Sequence, residues 1–349
     1  MKPYLIAEVG VNFYDTARVE NISVIDAAKK YIYEAKRAGA DAVKFQSYKA
    51  STIVSKNSPA YWDTEKEPTK TQYELFLKYD HLNKEDYKVL SDYCVQIGID
   101  FASTPFDYES IDYLDELQDF YKISSSDLTN FPFLKRVAQK NKPIVMSVGA
   151  SYLSEIEEAV RFLNENGSDD LTLLHCVLSY PTNYDDANLN FITHLKSVFP
   201  MCRVGYSDHT PPDPNMIVLT TAFLLGATVI EKHFTLDKTL NGNDHYHAGD
   251  PDDFKKAVAN FDLINKILGS SYKTVLDCER IPRREARRSI FTARDLQKGD
   301  RIKEKDLICK RPGTGLPPKY FDLVVGSTVN TELAEDSLLS LNDLVDFLE

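Results

Sequence analysis

The stretch Gly205–Thr235, GYSDHTPPDPNMIVLTTAFLLGATVIEKHFT, sets two histidines where a metal ion could be held. His209 follows a short β-type run, and His233 follows the buried-strand run Ala227–Glu231. Between them, Pro211, Pro212 and Pro214 permit a helix to begin, Met216–Leu225 is apolar with helical character, and Gly226 closes it. If the two runs are parallel neighbours, both imidazoles emerge at the same strand ends and form half of a metal-ligand set. A single loop histidine reads as a surface group; two at equivalent positions of consecutive units read as ligands.

The same pattern recurs along the chain. Strand runs are expected at Tyr4–Val9, Asp41–Gln46, Asp100–Ser103, Phe120–Ile123, Pro143–Ser147 and Leu171–Cys176, with the two above as the seventh and eighth. Helical stretches follow, including Val19–Ala38, Lys84–Ile97, Ser154–Asn164, Ala187–Val198 and Asp252–Leu268. Strict alternation predicts a parallel sheet, and eight units of this size predict an α/β fold of the closed (β/α)8 TIM-barrel type. An open doubly wound sheet is the rival, but no glycine-rich dinucleotide turn follows the first strand. Ser47–Asn83 is a long polar excursion, which inside a regular repeat is read as functional or as a lid.

Catalytic groups of such a barrel sit at the C-terminal strand ends. The polar residues there are Glu8, Lys44, Gln46, Thr104, Lys122, Ser125, Asp127, Ser147, Ser207, Asp208, His209, Glu231, Lys232, His233 and Asp244. Lysines and hydroxyls suit a phosphate or carboxylate, two histidines suit a divalent metal, and the carboxylates suit proton transfer or sugar hydroxyls. Taken alone, the lysines could equally form Schiff bases and the serines could be caps.

Composition bounds the class. With 349 residues, 43% hydrophobic and 27% charged, the chain reads as an ordinary soluble protein with a large and a small domain. A net charge of -12 excludes general nucleic-acid or anionic-membrane binding, though not an anionic substrate. Five scattered cysteines without a CxxC suggest neither disulfides nor a cysteine zinc site. MKPYLIAEVG enters a strand directly, and no apolar run reaches transmembrane length; a cytoplasmic location is expected. Domains are expected at 1–268 (barrel), 269–285 (an irregular polar linker) and 286–349. The last is short on helical period, with β-type runs at Ser289–Thr292 and Leu323–Val325. There Leu296, Ile302, Asp306 and Leu307 recur as Leu333, Leu339, Asp343 and Leu344, which suggests two similar halves in a small, mostly β domain.

The motifs AEVGVN (7–12), GADAVKFQ (39–46), STPFD (103–107), YKISSSD (121–127), KPIVMSVGAS (142–151), LLHC (173–176), YPT (180–182), GYSDHT (205–210), EKHFT (231–235), GNDH (242–245) and KRPGTG (310–315) carry a family resemblance over nearly the whole chain. The chain resembles the sialic acid synthases, which condense phosphoenolpyruvate with an N-acylhexosamine to a nonulosonic acid. The resemblance implies a TIM barrel followed by an antifreeze-like (SAF) domain, in a homodimer whose small domains cap the partner's barrel. It implies phosphoenolpyruvate contacts at Lys44, Thr104, Lys122, Ser125, Ser147 and Ser207. It further implies His209 and His233 as ligands of manganese (with magnesium or cobalt as substitutes) and a sugar side at Glu8, Gln46, Asp127, Tyr180 and Asp244. Arg311 would be lent to the neighbouring subunit, and Glu8 or Asp127 would be the base. The departures are Asn12-Phe13 where Asn-His is usual, Ser147-Val148-Gly149 where the motif is Ser-Thr-Gly, Leu178 where some members carry Asn and Asp127 where some carry Glu. They leave the phosphoenolpyruvate and metal half intact and bear on the identity of the sugar. An apolar Leu178 suits a deoxygenated sugar such as a 2,4-diacetamido-trideoxyhexose. The rivals are a Schiff-base aldolase on Lys44 or Lys122 and a non-enzymatic ligand-binding protein.

Overall fold

In a computed structural model of the chain, the described residues are 2–62, 64, 67–242 and 244–345. Asn243 of the GNDH motif, three residues of the long excursion (63, 65 and 66) and the last four of the span 286–349 lie outside them. The chain divides into two compact units, Met1–Gly269 and Ser270–Glu349.

In the first unit, every strand run of the alternating pattern pairs in parallel with at least one neighbour. β1 (Tyr4–Gly10), β2 (Ala42–Ser47), β3 (Asp100–Pro105), β4 (Tyr121–Ile123), β5 (Ile144–Ser147), β6 (Leu171–Cys176), β7 (Arg203–Asp208) and β8 (Val229–His233) lie in the order β3-β2-β1-β8-β7-β6-β5-β4. The first strand pairs with the last, Glu8 opposite His233, which curls the sheet on itself. β3 and the short β4 pack side by side at a seam without ladder bonds among the described residues. The helices cover the outside, as a parallel sheet requires.

Strand parity divides the inside of the barrel into levels. Ile6, Ala42, Val145, Leu174 and Val229 form an apolar plug at the N-terminal end of the strands. Two residues further along, the same inward face carries Glu8, Lys44, Ser147, Cys176 and Glu231. Gly205 holds the place of a plug residue on β7: a Cβ there would stand 2.3 Å from the Val229 carbonyl oxygen and 2.5 Å from Leu174 Cδ2. Only glycine lets β7 close against β8 at that level.

Several expectations change. The helix expected over Val19–Ala38 is two helices, Asn12–Glu20 and Val24–Arg37. Asn21 takes a left-handed conformation (φ 53°) and ends the first; the Ser23 side chain accepts from the Asp26 amide and starts the second. The excursion Ser47–Asn83 is structured, with helices Ala50–Ile53 and Gln72–Leu77 and a Pro59–Thr71 bridge. Buried Glu67 accepts from Lys78 at 2.9 Å and pins it internally. Among the described residues, no helix is long and apolar enough to cross a membrane.

The second unit has its own core, including Ile290, Leu296, Ile302, Leu307, Leu339 and Leu344. β9 (Ser289–Thr292) pairs antiparallel with β10 (Leu307–Lys310), and β11 (Thr328–Val329) with β12 (Leu344–Val345). The internal repeat is structural. Leu296 and Leu333 exchange amide–carbonyl bonds at 2.8 and 2.9 Å across the two halves. Asp306 and Asp343 accept from the amides of Lys303 and Ser340 at 2.9 and 2.8 Å. Leu323–Val325 is not a strand: Pro317 and Pro318 lead through a 3-10 turn into the short helix Phe321–Val324. The span 269–285 is less irregular than its polarity suggests, since Asp277–Glu279 and Arg280–Ala286 are helical.

Candidate active site

The C-terminal strand ends open into a cavity of about 490 Å³. Its floor is a buried charge cluster. Lys44 on β2 forms a close ion pair with Glu8 on β1, donates to Thr104 Oγ1 on β3 at 2.9 Å, and stands 3.9 Å from Glu231 on β8. Lys122 on β4 donates to Ser147 Oγ on β5 at 2.7 Å and stands 3.6 Å from Glu231. Ser207 on β7 donates to Glu231 Oε1 at 2.9 Å, and Gln46 donates to Glu8 at 2.8 Å. Glu231 therefore sits between two ammonium groups supplied by different strands. Ser125, on the turn after β4, accepts from the Gly149 amide at 2.9 Å and faces Cys176 Sγ at 3.7 Å.

Burial decides the charges. Removal from water, helped by Glu231, pushes the Glu8 carboxyl up to about 7 against the pull of Lys44. Burial opposes charge on Glu231 too, but Lys122 and Lys44 overcome it and hold its carboxyl below the usual range. For Lys44, burial is outweighed by Glu231 and Glu8, and its ammonium is held above the usual value. Burial pushes Lys122 down, with Lys44 adding to the effect. The floor thus carries an ionised Glu231 beside a charged Lys44, with a titratable Glu8 at its edge. An entering phosphate or carboxylate finds cations already gathered and a group ready to take up a proton.

Above this floor stand the imidazoles. His209 Nδ1 lies 2.7 Å from the Val177 carbonyl. A carbonyl only accepts, so Nδ1 carries the hydrogen and Nε2 is the nitrogen left to bind an ion. His233 Nδ1 is buried with no hydrogen-bond partner among the described residues and lies 3.7 Å from Asp244 Oδ2. Burial, and then the neighbouring His247 and His209, hold His233 neutral well below the usual histidine range. Burial raises Asp244 to about 6 although His245, His209 and Lys44 pull the other way. The Tyr180 ring packs on His209 at 4.2 Å between centres and approaches His233 at 6.0 Å. Burial opposes charge on His209, but Cys176 overcomes it and holds the imidazole above the usual histidine range. A neutral His233 with one buried nitrogen unpartnered, beside the Asp244 carboxyl, fits a divalent cation, and His233, Asp244 and His247 have donor atoms within 4.8 Å of one another.

Residues 31–273 match the NeuB family and residues 287–345 match the SAF domain. The chain belongs to the NeuB family. Two NeuB-like relatives are the N,N'-diacetyllegionaminic acid synthases of Legionella pneumophila (40% identical, 97% of this chain and 94% of the relative) and of Campylobacter jejuni (36%, 97% and 99%). Among solved structures, the N-acetylneuraminic acid synthetase of Leptospira borgpetersenii, in complex with citrate, matches with a TM-score of 0.67 at 31% identity, covering 81% of this chain and 90% of that one.

Within this NeuB barrel, the site residues expected from the first unit all line the one cavity. They are Glu8, Lys44, Gln46, Thr104, Lys122, Ser125, Asp127, Ser147, Tyr180, Ser207, His209, His233 and Asp244. Arg311 belongs to the second unit, where it is exposed. Asp208 and Lys232, gathered with the rim residues from the sequence, do not line the cavity. Strand side chains alternate, so Ser207 and Glu231 point inward while Asp208 and Lys232 pair with each other at 2.5 Å. Sequence reasoning passed over four contributors. Tyr61 and Trp62 line the cavity from inside the excursion, where two adjacent aromatics in a polar loop were the available signal. Cys176 lines it at the end of β6, two residues beyond the plug residue Leu174. His247 lies beside His233 on the loop after β8, signalled only by the spacing His245-x-His247.

Proposed function

We propose that the protein joins phosphoenolpyruvate to an N-acylhexosamine, forming a nonulosonic acid and releasing phosphate. The observation that carries this reading is the buried floor, in which two lysines from different strands share Glu231 beneath a pair of histidines. Lys44 and Lys122, with the hydroxyls of Thr104, Ser125, Ser147 and Ser207, hold the carboxylate and phosphate; such positioning does much of the catalysis. A divalent ion, manganese in this reading, held by His209 and His233, supplies Lewis acidity to the sugar's carbonyl oxygen. C3 of phosphoenolpyruvate attacks the open-chain aldehyde, water adds at C2, and phosphate leaves with C–O cleavage. Glu8, raised to about 7, is poised near working pH to accept or return a proton, with Asp127 as the other candidate base. Gln46, Tyr180 and Asp244 face the sugar.

The preferred sugar is a 2,4-diacetamido-trideoxyhexose, in keeping with the apolar Leu178 on the cavity wall and with a Legionella relative that is an N,N'-diacetyllegionaminic acid synthase. The catalytic domain is assigned to 1–268, the linker to 269–285 and the SAF domain to 286–349. The protein works as a cytoplasmic homodimer in which Arg311 serves the neighbouring subunit. The test is phosphate release from phosphoenolpyruvate with Mn²⁺, comparing N-acetylmannosamine with 2,4-diacetamido-trideoxyhexoses, with and without EDTA. Metal-dependent release with the trideoxy sugar is expected; no release with any of these sugars overturns the assignment.

One observation favours a second reading. Burial lowers the Lys122 ammonium, as a Schiff-base lysine requires. Borohydride with pyruvate would then trap a covalent adduct on Lys122 without metal; the condensing reaction leaves no adduct.

A further inference from the structure

Beyond the two histidines at the strand ends, a third imidazole stands at the same place. His247 is fully buried, with its ring centre 4.7 Å from that of His233. His233 is in turn 5.4 Å from His209, whereas His209 and His247 are 6.4 Å apart. His233 is therefore the middle member of the three. For metal–nitrogen bonds of about 2.1 Å, imidazoles at neighbouring positions of one ion stand roughly 4.5–5.2 Å apart at their centres. The His233–His247 pair lies inside that range and the His209–His233 pair just outside it. The donor atoms of His233, Asp244 and His247 already fall within 4.8 Å of one another. Bonds of about 2.1 Å can span up to about 4.2 Å between two ligand atoms, so small side-chain rotations are enough to close on one ion.

The loop that carries His247 is fixed rather than draped. The Gly249 amide donates to the His233 carbonyl at 2.8 Å, and the Thr235 amide donates to the Gly249 carbonyl at 3.0 Å. Tyr246 Oη donates to the Tyr180 carbonyl at 2.9 Å, and Asn12 donates to the Asp244 carbonyl at 3.2 Å. The other histidine of the loop is already committed, with Nδ1 at 2.7 Å from Thr235 Oγ1 and Nε2 at 3.3 Å from Asp15. One histidine anchors the loop, and the next but one is delivered to His233.

We infer that His247 is a direct ligand of the divalent ion, a third imidazole beside His209 and His233. His247 is not among the described residues that line the cavity, so it binds from the side turned away from the substrates. The positions facing the cavity stay open for chemistry. An added nitrogen ligand tightens the site and favours the later divalent metals over magnesium. The inference rests on the proposed function only in needing the ion; the substrates do not enter it.

The test uses the full chain loaded with Mn²⁺ and no substrate. Electron spin-echo spectroscopy should count three coordinated imidazole nitrogens in the wild type and two in His247→Ala. Chelator competition should show Mn²⁺ affinity falling at least about tenfold in His247→Ala. Two nitrogens in the wild type overturn the inference, and that count stands even if the variant fails to fold. Unchanged Mn²⁺ affinity in a His247→Ala protein that melts like the wild type when metal-free also overturns it. If the wild type binds no Mn²⁺ at all, the metal of the proposed function falls as well, whereas binding with two nitrogens removes only His247.

Discussion

Lys232 donates to Asp208 at 2.5 Å and to the Thr210 carbonyl at 2.8 Å, with both charged side chains fully buried behind the strands. Each residue directly precedes one of the two histidines, so the pair clamps the ends of β7 and β8 on which His209 and His233 stand. Removing one partner leaves an uncompensated buried charge. Lys232→Met should lower stability by about 3–5 kcal/mol, read in chemical denaturation. Asp208→Asn should cost less, since the amide still accepts from Lys232. A Lys232→Met loss of under about 1 kcal/mol would remove the clamp from the account.

Metal removal should separate the histidines from the lysines. EDTA, or His233→Ala, should abolish phosphate release while phosphoenolpyruvate binding, followed by calorimetry, persists at reduced affinity. Lys122→Met or Lys44→Met should do the reverse and weaken phosphoenolpyruvate binding by about tenfold or more, because each lysine supplies a buried charge to an anion.

Asp244 should set an acid limb. Its carboxyl, raised to about 6, is protonated below that pH, so kcat/KM should fall as pH drops through about 6 and the limb should vanish in Asp244→Asn, which is already uncharged. The stability effect has the opposite sense. The folded state holds this proton more tightly than the unfolded chain, so stability is full below the ordinary aspartate value and is lost as pH rises to about 6. Asp244→Asn should escape that loss. A pH profile that stays flat down to pH 5 would contradict a role for the ionised carboxylate.

Binding of phosphoenolpyruvate should take up a proton. Glu8 is raised to about 7 while Lys44 still pairs with it. An anion that draws Lys44 away lifts Glu8 further, so at pH 7.5–8 calorimetry in buffers of different ionisation enthalpy should report an uptake approaching one proton. Glu8→Gln should abolish it. An uptake left intact in that variant would place the titrating group elsewhere.

Sugar choice should pass through Leu178, which is 39% exposed on the cavity wall. Leu178→Asn should shift the kcat/KM ratio toward N-acetylmannosamine by about tenfold, because a polar partner admits a hydroxyl that an apolar one penalises. An unchanged ratio would move sugar selection to other groups, with Tyr61 and Trp62 next to be tested.

The barrel was legible because its strands are short apolar runs ending in polar residues, a signal each run carries by itself. What depends on neighbours was not. Whether Asp208 or His209 faces the cavity is a matter of pleat parity, which the sequence leaves open until the register of β7 against β8 is known. The break at Asn21 turns on one left-handed residue within an otherwise helical stretch. His247 stands on no strand end at all; its place comes from a loop that returns to pair with the backbone of His233. The repeat in the second unit was legible as spacing, but only the paired backbones of Leu296 and Leu333 reveal that its halves face each other.

The levels inside the barrel also bear on how such a protein can diverge. Ile6 and Glu8, Val145 and Ser147, Leu174 and Cys176, and Val229 and Glu231 are each separated by one pleat on one strand. The lower member of each pair maintains the fold and the upper one performs the chemistry. Mutation can explore the upper tier, and the loops above it, without disturbing the lower. A lineage can therefore change the molecule it makes while inheriting its foundation unaltered.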